Sequence, residues 1–426
     1  MLKICSNEAL PGKTKEFKNL KNKLNPMKKE VLANGMKVIY EKANTRSVVV
    51  QVMVKTGSNQ ENTQERGISH FLEHLLFEGT IHRPTNKDIS QEIERIGGDI
   101  NAYTSNERTC FYVKVLGKHY HKAVEILADI LQNPLFREED IHREKNVVLK
   151  EIDMVLDEPR FYQWILLQKN LFKKHPCRYP TYGNKEDIRQ LTRQKIVDFF
   201  NKHYRPSNMI ISVVGNIKLW KTELEKHFVT RHAPQISFSY PHEPADHKTI
   251  MVKERRKISS TYFVLGFKTV PKNNKDAYAL EIINTIMGRG QSCRMFTEIR
   301  TKLGLAYDVG SQHVAEVSYG YFAFYASVDK KNVQKAKGLI LEELQDLRNI
   351  SEQELKAAKT AIEGEFYLDL EDTQKRADQL LFWEQAKSAK ELDSFVSRIK
   401  NVSIKDIQRA IDTYFHHYTF VVLEGR

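Results

Sequence analysis

Cysteine is scarce in this chain. Only four occur in 426 residues, Cys5, Cys110, Cys177 and Cys293, and no two form a C-x-x-C pair. That spacing argues against a disulfide framework and a cysteine-held metal, and the thiols read as free in a reducing compartment. Long apolar runs are missing too. No stretch approaches the ~20 residues needed to span a bilayer, and the start, Met1-Leu2-Lys3-Ile4-Cys5-Ser6, lacks the apolar region of a signal peptide. The expectation is a cytoplasmic protein with no membrane partner. Segregated charge is the third absence. The net charge is +13, yet 67 Lys and Arg interleave with 54 Asp and Glu along the whole length. With no nucleic-acid module signature, and with aromatics mostly in apolar periodic positions, nucleic acid is not an expected partner.

What is present begins with length. A chain of 426 residues exceeds one ordinary domain and suits two of about 200 residues, each with ample core. Residues 1–26, lysine-rich and weakly patterned, read as a flexible N-terminal extension. A mitochondrial presequence fits poorly, because such segments are Arg-rich and acid-poor whereas this one holds Glu8 and Glu16.

The densest chemical signal is Gly67-Ile68-Ser69-His70-Phe71-Leu72-Glu73-His74-Leu75-Leu76-Phe77. Apolar residues at Ile68, Phe71, Leu72, Leu75 and Leu76 predict an amphipathic helix, with Gly79 as its C-terminal cap. His70 and His74, four residues apart, then share a face and can bind one tetrahedral metal through neutral imidazoles. Glu73 lies less than a turn from both and can act as a general base without being a ligand. The order His-x-x-Glu-His inverts the commoner zincin pattern.

A catalytic zinc needs a third protein ligand, and the next strongly helical segment, Glu138 to Asp157, offers two. Glu144 and Glu151 are seven residues apart, two turns, and so lie nearly in line. Spacing does not choose between them.

The residues quoted so far resemble the pitrilysin/insulinase metallopeptidases, in particular the short-chain branch that includes the mitochondrial processing peptidase and its prokaryotic relatives. The likeness runs from Glu30-Val31-Leu32-Ala33-Asn34-Gly35-Met36-Lys37-Val38-Ile39 through His70-Phe71-Leu72-Glu73-His74 to Tyr204-Arg205-Pro206-Ser207-Asn208-Met209 and on into the C-terminal half. The resemblance implies that Glu151, 77 residues after His74, is the third zinc ligand, and that Glu144 supports the site from behind. It implies one zinc ion per chain, with Glu73 as the base that takes a proton from the attacking water. It further implies that Arg300 and Tyr307 contact the substrate, Tyr307 steadying the oxyanion, and that Asn101 and Ala102 lie on an edge strand to which a peptide substrate adds.

The chain also repeats itself. Thr192 to Tyr204 matches Ser403 to Phe415 at an offset of 211, each a hydroxyl cap followed by a helix with apolar residues in step (Ile196/Ile407, Phe200/Ile411) and then a β-rich run. The expected fold is α+β: two homologous domains from an internal duplication, each an antiparallel-rich sheet packed with helices. Residues 27–230 are read as the catalytic zinc-binding domain. Residues 231–426 are read as a homologous domain that binds no metal and serves substrate contact and dimerisation. Setting Gly79 against Gly288 aligns His70 with Ala279, Glu73 with Ile282 and His74 with Ile283, so the ligands are absent from the second copy.

The function expected from the resemblance is a zinc-dependent endopeptidase that hydrolyses short or unfolded peptides in an enclosed chamber. Because the chain holds both the zinc motif and the Arg300/Tyr307 pair, a homodimer is the simplest assembly. The alternatives are a subunit of a hetero-oligomeric processing peptidase and a non-catalytic scaffold.

Overall fold

Ser47–Val54, with the sequence SVVVQVMV, is buried at nearly every position and forms the strand around which the first half is built. The computed structural model describes residues 26–229, 234, 236–241, 243–244 and 248–425. The extension expected over residues 1–26 thus lies, but for residue 26, outside the described residues.

The first half contains β1 (Met27–Val31), β2 (Lys37–Glu41), β3 (Ser47–Val54), α1 (Ile68–Leu75), α2 (Asn86–Glu94), β4 (Asp99–Thr104) and β5 (Thr109–Leu116). It continues through α3 (Tyr120–Gln132), α4 (Glu138–Asp157), α5 (Pro159–Leu171), α6 (Lys185–Gln190), α7 (Arg193–His203), β6 (Met209–Val214) and α8 (Trp220–His227). The second half contains β7 (Ile250–Arg256), β8 (Thr261–Thr269), α9 (Asp276–Gly288), β9 (Ala306–Ala315), β10 (Gly320–Val328) and α10 (Val333–Asp346). It closes with α11 (Glu352–Glu371), α12 (Thr373–Ala386), α13 (Glu391–Asn401), α14 (Ile404–Tyr414) and β11 (Thr419–Gly425).

The two sheets have the same plan. The first runs β1-β2-β6-β3-β5-β4 and the second β7-β11-β8-β10-β9, so β7 to β11 repeat β2 to β6 and β1 is the one addition. Within each sheet a single pair is parallel, β2 with β6 and β7 with β11, and all other pairs are antiparallel. The fold is α+β with two duplicated sheet-and-helix units, and the helix pair that first showed the repeat, α7 and α14, carries the expected caps at Thr192 and Ser403.

Each sheet is covered on one face by its own half and on the other by a helix from the opposite half. Leu166, Leu167 and Leu171 of α5 pack with Val264, Ala323 and Val421 of the second sheet. In return Ala377, Leu380 and Leu381 of α12 belong to the core that takes in Val49, Met53 and Ile210 of the first. α5 lies so close that a Cβ on Gly266 would fall 2.4 Å from Leu167 Cδ1. Polar pins reinforce the exchange. Glu107, in the turn between β4 and β5, accepts from the backbone N–H of Val317 (2.6 Å) and Ser318 (2.9 Å) in the turn between β9 and β10.

Two local expectations change. The first helix stops at Leu75 with Leu76 as its C-cap, so Gly79 lies three residues beyond the cap and not at it. The alignment of Gly79 with Gly288 is also displaced. Ala279, Ile282 and Ile283 are core residues, 1%, 0% and 0% exposed, whereas the part-exposed positions of α9 are Glu281 and Gly288. An offset of 211 sets Ile68, Phe71, Leu72, Leu75 and Leu76 against Ala279, Ile282, Ile283, Ile286 and Met287, all of them buried. The same shift sets His70 against Glu281, Glu73 against Asn284 and His74 against Thr285. Matching on a glycine misled because Gly79 and Gly288 do different things: one lies beyond a helix, the other inside one.

Candidate metal centre

α1 is placed from its first turn. Gly67, its N-cap, has φ +85°, and a Cβ there would fall 2.5 Å from the Tyr182 carbonyl oxygen, so only glycine fits. The backbone N–H groups of Gly67 and Ser69 both donate to the buried carboxylate of Glu61, at 2.8 and 2.9 Å. Glu61 thus satisfies two of the donors that a helix start leaves free. Burial pushes its carboxyl up to about 8 in spite of those bonds. Ile68, Phe71, Leu72 and Leu75 bury one face, and His70, Glu73 and His74 are left on the other.

α4 packs across that face and supplies the carboxylates. His70 Nε2 is 3.7 Å from Glu151 Oε1 and His74 Nε2 is 3.6 Å from Glu151 Oε2. The ligand atoms of His70, His74 and Glu151 all lie within 4.8 Å of one another, and among the described residues they are the one such group of three. Two nitrogens and one carboxylate oxygen are the donor set of a catalytic zinc, whose ligand atoms, with bonds of about 2.1 Å, stand roughly 3.4 Å apart. The residues present fit the ion. Glu144 Oε2 lies 3.3 Å from His74 Nδ1, which fixes the ring with Nε2 towards Glu151. His70 Nδ1 is buried without a partner. The Glu151 side chain is 41% exposed against 13% for His70, so the cluster opens to solvent on the α4 side.

The electrostatics suit a cation. Burial, with His74 alongside, pulls the His70 imidazole down to about 4, which keeps it neutral and its lone pair free at neutral pH. For His74 burial acts downwards as well, but the hydrogen bond to Glu144 and the charges of Glu151 and Glu73 outweigh it and the net shift is upwards. Burial raises Glu73, partly opposed by a hydrogen bond from Thr104. That bond, Thr104 Oγ1 to Glu73 Oε2 at 2.6 Å, ties the carboxylate to β4.

β4 is an edge strand, paired on one side only, with β5. Asn101 and Ala102 lie on it opposite Tyr112 and Phe111, and the Asn101 side-chain oxygen accepts from the Ala102 N–H at 2.8 Å. A cavity of about 330 Å3 opens between this strand and the cluster, lined by Glu73, His74, Phe77, Ile89, Ile100 and Asn101 among others. Arg300 and Tyr307 are elsewhere. Arg300 lies in a π-helical turn, Phe296–Lys302, and Tyr307 near the start of β9, 75% exposed, with the guanidinium 5.4 Å from its ring centre. Among the described residues no hydrogen bond, ion pair or ring contact joins this pair to the His70, His74 and Glu151 cluster. One chain therefore brings together the histidines, Glu73, Glu144, Glu151 and the β4 edge, and leaves Arg300 and Tyr307 facing outwards.

Sequence reading passed over Thr104 and Glu61. Thr104 stands at the end of the edge-strand segment and Glu61 six residues before the helix cap, and neither spacing announces a contact made only in the folded chain.

Comparison with known proteins gives a consistent picture. Residues 37–185 match the family Insulinase (Peptidase family M16), and residues 190–362 match the Peptidase M16 inactive domain. The uncharacterised zinc protease YmxG of Bacillus subtilis (strain 168) is 31% identical over 390 residues, covering 89% of this chain and 94% of that protein. An uncharacterised zinc protease of Rickettsia felis is 34% identical over 354 residues, covering 82% of this chain and 85% of that one. A protease from Helicobacter pylori, solved by crystallography, superposes with a TM-score of 0.89 at 24% identity, over 94% of this chain and all of that one (100%).

Proposed function

Because the chain belongs to the insulinase family of peptidases, family M16, we propose that it is a zinc-dependent endopeptidase acting on short or unfolded peptides. The observation that carries this reading is the convergence of His70, His74 and Glu151 within 4.8 Å, with the Glu73 carboxylate beside them. The three side chains hold one zinc ion per chain. Zinc bound there supplies Lewis-acid polarisation of a carbonyl and makes a water acidic enough to attack at neutral pH.

The chain's own groups do the rest. Glu73 takes the proton of the attacking water and returns it to the leaving amine, its Oε2 held by Thr104 and its Oε1 left as the acceptor. Burial suits Glu73 to both steps, because a carboxyl raised above its ordinary 4.5 gains and gives a proton more evenly near neutral pH. The peptide adds to the open edge of β4 along Asn101 and Ala102, so that its backbone, not its side chains, sets its position. One flanking side chain enters the cavity that Phe77, Ile89 and Ile100 make apolar.

Negative charge on the carbonyl oxygen needs a hydrogen-bond donor beside the cluster, which among the described residues Arg300 and Tyr307 of the same chain do not contact. Tyr307 and Arg300, exposed in one copy, supply it from a second, so the working form is a homodimer with two shared sites around a closed chamber. Among the described residues no helix is long and apolar enough to cross a membrane, and Cys110, Cys177 and Cys293 are buried free thiols, in keeping with a cytoplasmic place.

The test is hydrolysis of an internally quenched peptide library by the purified chain. Wild type is expected to cleave, metal chelation to stop cleavage reversibly, and Glu73→Gln to lower kcat by at least ~10³-fold with zinc content unchanged. A zinc-loaded wild type that cleaves nothing would defeat the reading and favour a subunit of a hetero-oligomeric peptidase. Equal activity in Glu73→Gln would remove Glu73 as the base.

A further inference from the structure

The two sheets differ at one edge. In the first, β1 covers β2, pairing antiparallel from Met27 opposite Glu41 to Val31 opposite Lys37. In the second, β7 is the counterpart of β2 and pairs with β11 alone, and among the described residues no strand lies on its other side. Ile250–Arg256 thus turns a row of backbone N–H and C=O groups away from the sheet. Its side chains alternate, and Met251, Lys253 and Arg255 share the more exposed face. A cavity of about 820 Å3 opens on that face, with Met251, Lys253, Lys331, Val333, Phe420 and Val422 in its wall.

Register shows what the second copy changed. β2 runs parallel to β6 as β7 does to β11, and the offset of 211 between β6 and β11 sets Val38 against Lys253 and Tyr40 against Arg255. Tyr40 is buried and stacks on Trp220 of α8, ring centres 5.0 Å apart. Its counterpart is a cation. Lys253, Arg255 and Lys330 all pair with one buried carboxylate, Glu424, at 2.6, 3.1 and 3.3 Å. Lys331 in the cavity wall and Lys337, 5.2 Å over the Phe420 ring, add positive charge, and the wall holds only one further acid, Asp329. Such cations guard an open edge against a second copy, which would bring Lys253 and Arg255 against their like. They do not guard it against a strand of opposite charge.

We propose that the β7 edge is a docking site for an acidic, extended segment of a partner protein, added antiparallel as β1 is added to β2. In that register the places of Lys28 and Glu30 fall opposite Arg255 and Lys253, on the face that those two share. The docked segment therefore reads acid, any residue, acid, any residue, apolar, with the apolar side chain opposite Met251 and beside the cavity. β7 and β9 are opposite edges of their sheet, so the partner lies away from Tyr307 and the inference stands apart from peptidase activity.

The experiment uses the full-length Glu73→Gln protein, so that a probe is not consumed, and a labelled, end-blocked peptide, Thr-Glu-Thr-Glu-Thr-Val-Thr. Binding is followed by fluorescence anisotropy and its place by hydrogen exchange. Saturable binding is expected, with exchange slowed across residues 250–256 and unchanged across the β4 edge, residues 99–104. Three altered peptides are each expected to bind at least ~10-fold more weakly: lysine for both glutamates, valine moved one place to the other face, and N-methylation of alternate amides. Because these changes are made in the probe, the test does not depend on a variant's folding. Lys253→Gln/Arg255→Gln, where it folds, is expected to lose the preference for glutamate over lysine. No saturable binding overturns the proposal, as does equal binding of the lysine or N-methylated peptide, or protection confined to β4. Protection of residues 250–256 by phosphatidylglycerol vesicles but not by the peptide also overturns it, by giving this edge to a membrane surface.

Discussion

A carboxylate behind a ligand can matter as much as one in front of it, and Glu144 is such a group. It holds His74 by Nδ1 at 3.3 Å while standing only 9% exposed, so its loss frees a ring that must point Nε2 at Glu151. Glu144→Ala is expected to weaken zinc binding by about 10–100-fold, read by competition with a chelator, while leaving the far-UV spectrum unchanged. Unchanged affinity would place Glu144 outside the site. The helix period made the His70 and His74 pair legible, because i and i+4 on an amphipathic helix fixes a shared face. The same period could not separate Glu144 from Glu151, since two turns bring both round to one side. What separates them is which side chain α1 meets as it crosses α4, a fact of tertiary packing. Thr104 and Glu61 were illegible for a related reason: each reaches the site from another element, and a Thr ending a strand or a Glu in a loop carries no periodic signal.

Elements were more legible than their partners. α4 falls at the bounds read from the sequence, Glu138 to Asp157, and β6 fills the β-rich run from Met209 to Val214. The exchange of α5 and α12 between halves was not visible, because an apolar helix face says that it is buried but not against which sheet. That exchange decides how the halves behave alone. Leu166, Leu167 and Leu171 of α5 are 8%, 0% and 0% exposed only because the second sheet covers them. At roughly 1.5–3 kcal/mol for each side chain, uncovering three removes burial worth about 5–9 kcal/mol. A domain's whole stability is only about 5–15 kcal/mol. The first sheet loses α12 in the same cut. Residues 27–230 expressed alone are therefore expected to show no cooperative thermal transition, and co-expression with residues 231–426 to restore one in a co-purifying pair. A sharp melt of the isolated segment would show that the exchanged helices add little.

Assembly and acid response belong to the whole molecule. If Tyr307 of one copy serves the zinc of the other, Glu73→Gln and Tyr307→Phe damage opposite sides of a shared site. Each variant alone should be weak, but subunit exchange between them yields mixed dimers in which one site carries both lesions and the other none. Random mixing makes half the dimers mixed, so about a quarter of the wild-type sites are expected to return, read as peptidase activity after unfolding and refolding the mixture. No recovery would place Tyr307 in its own chain's site or outside catalysis. Within one chain, the two halves are also bound by the segment between them. Glu243 there accepts from the backbone N–H of Lys173, Lys174 and His175 at 2.8, 2.8 and 2.9 Å, and from Lys268 of β8 at 2.8 Å, so it ties the end of α5 to the second sheet. Burial acts to raise its carboxyl, but Lys268 and the three N–H groups prevail and hold it at about 2, below the ordinary 4.5. A depressed carboxyl binds its proton more readily in the unfolded chain, so its stabilising effect is complete above pH 4.5 and lost as pH falls towards 2. Glu243→Gln should therefore melt below wild type at neutral pH and converge on it across that window. Parallel melting curves down to pH 2 would mean that the glutamate holds α5 by shape and not by charge, and the exchanged helix would then be kept in place by its three leucines alone.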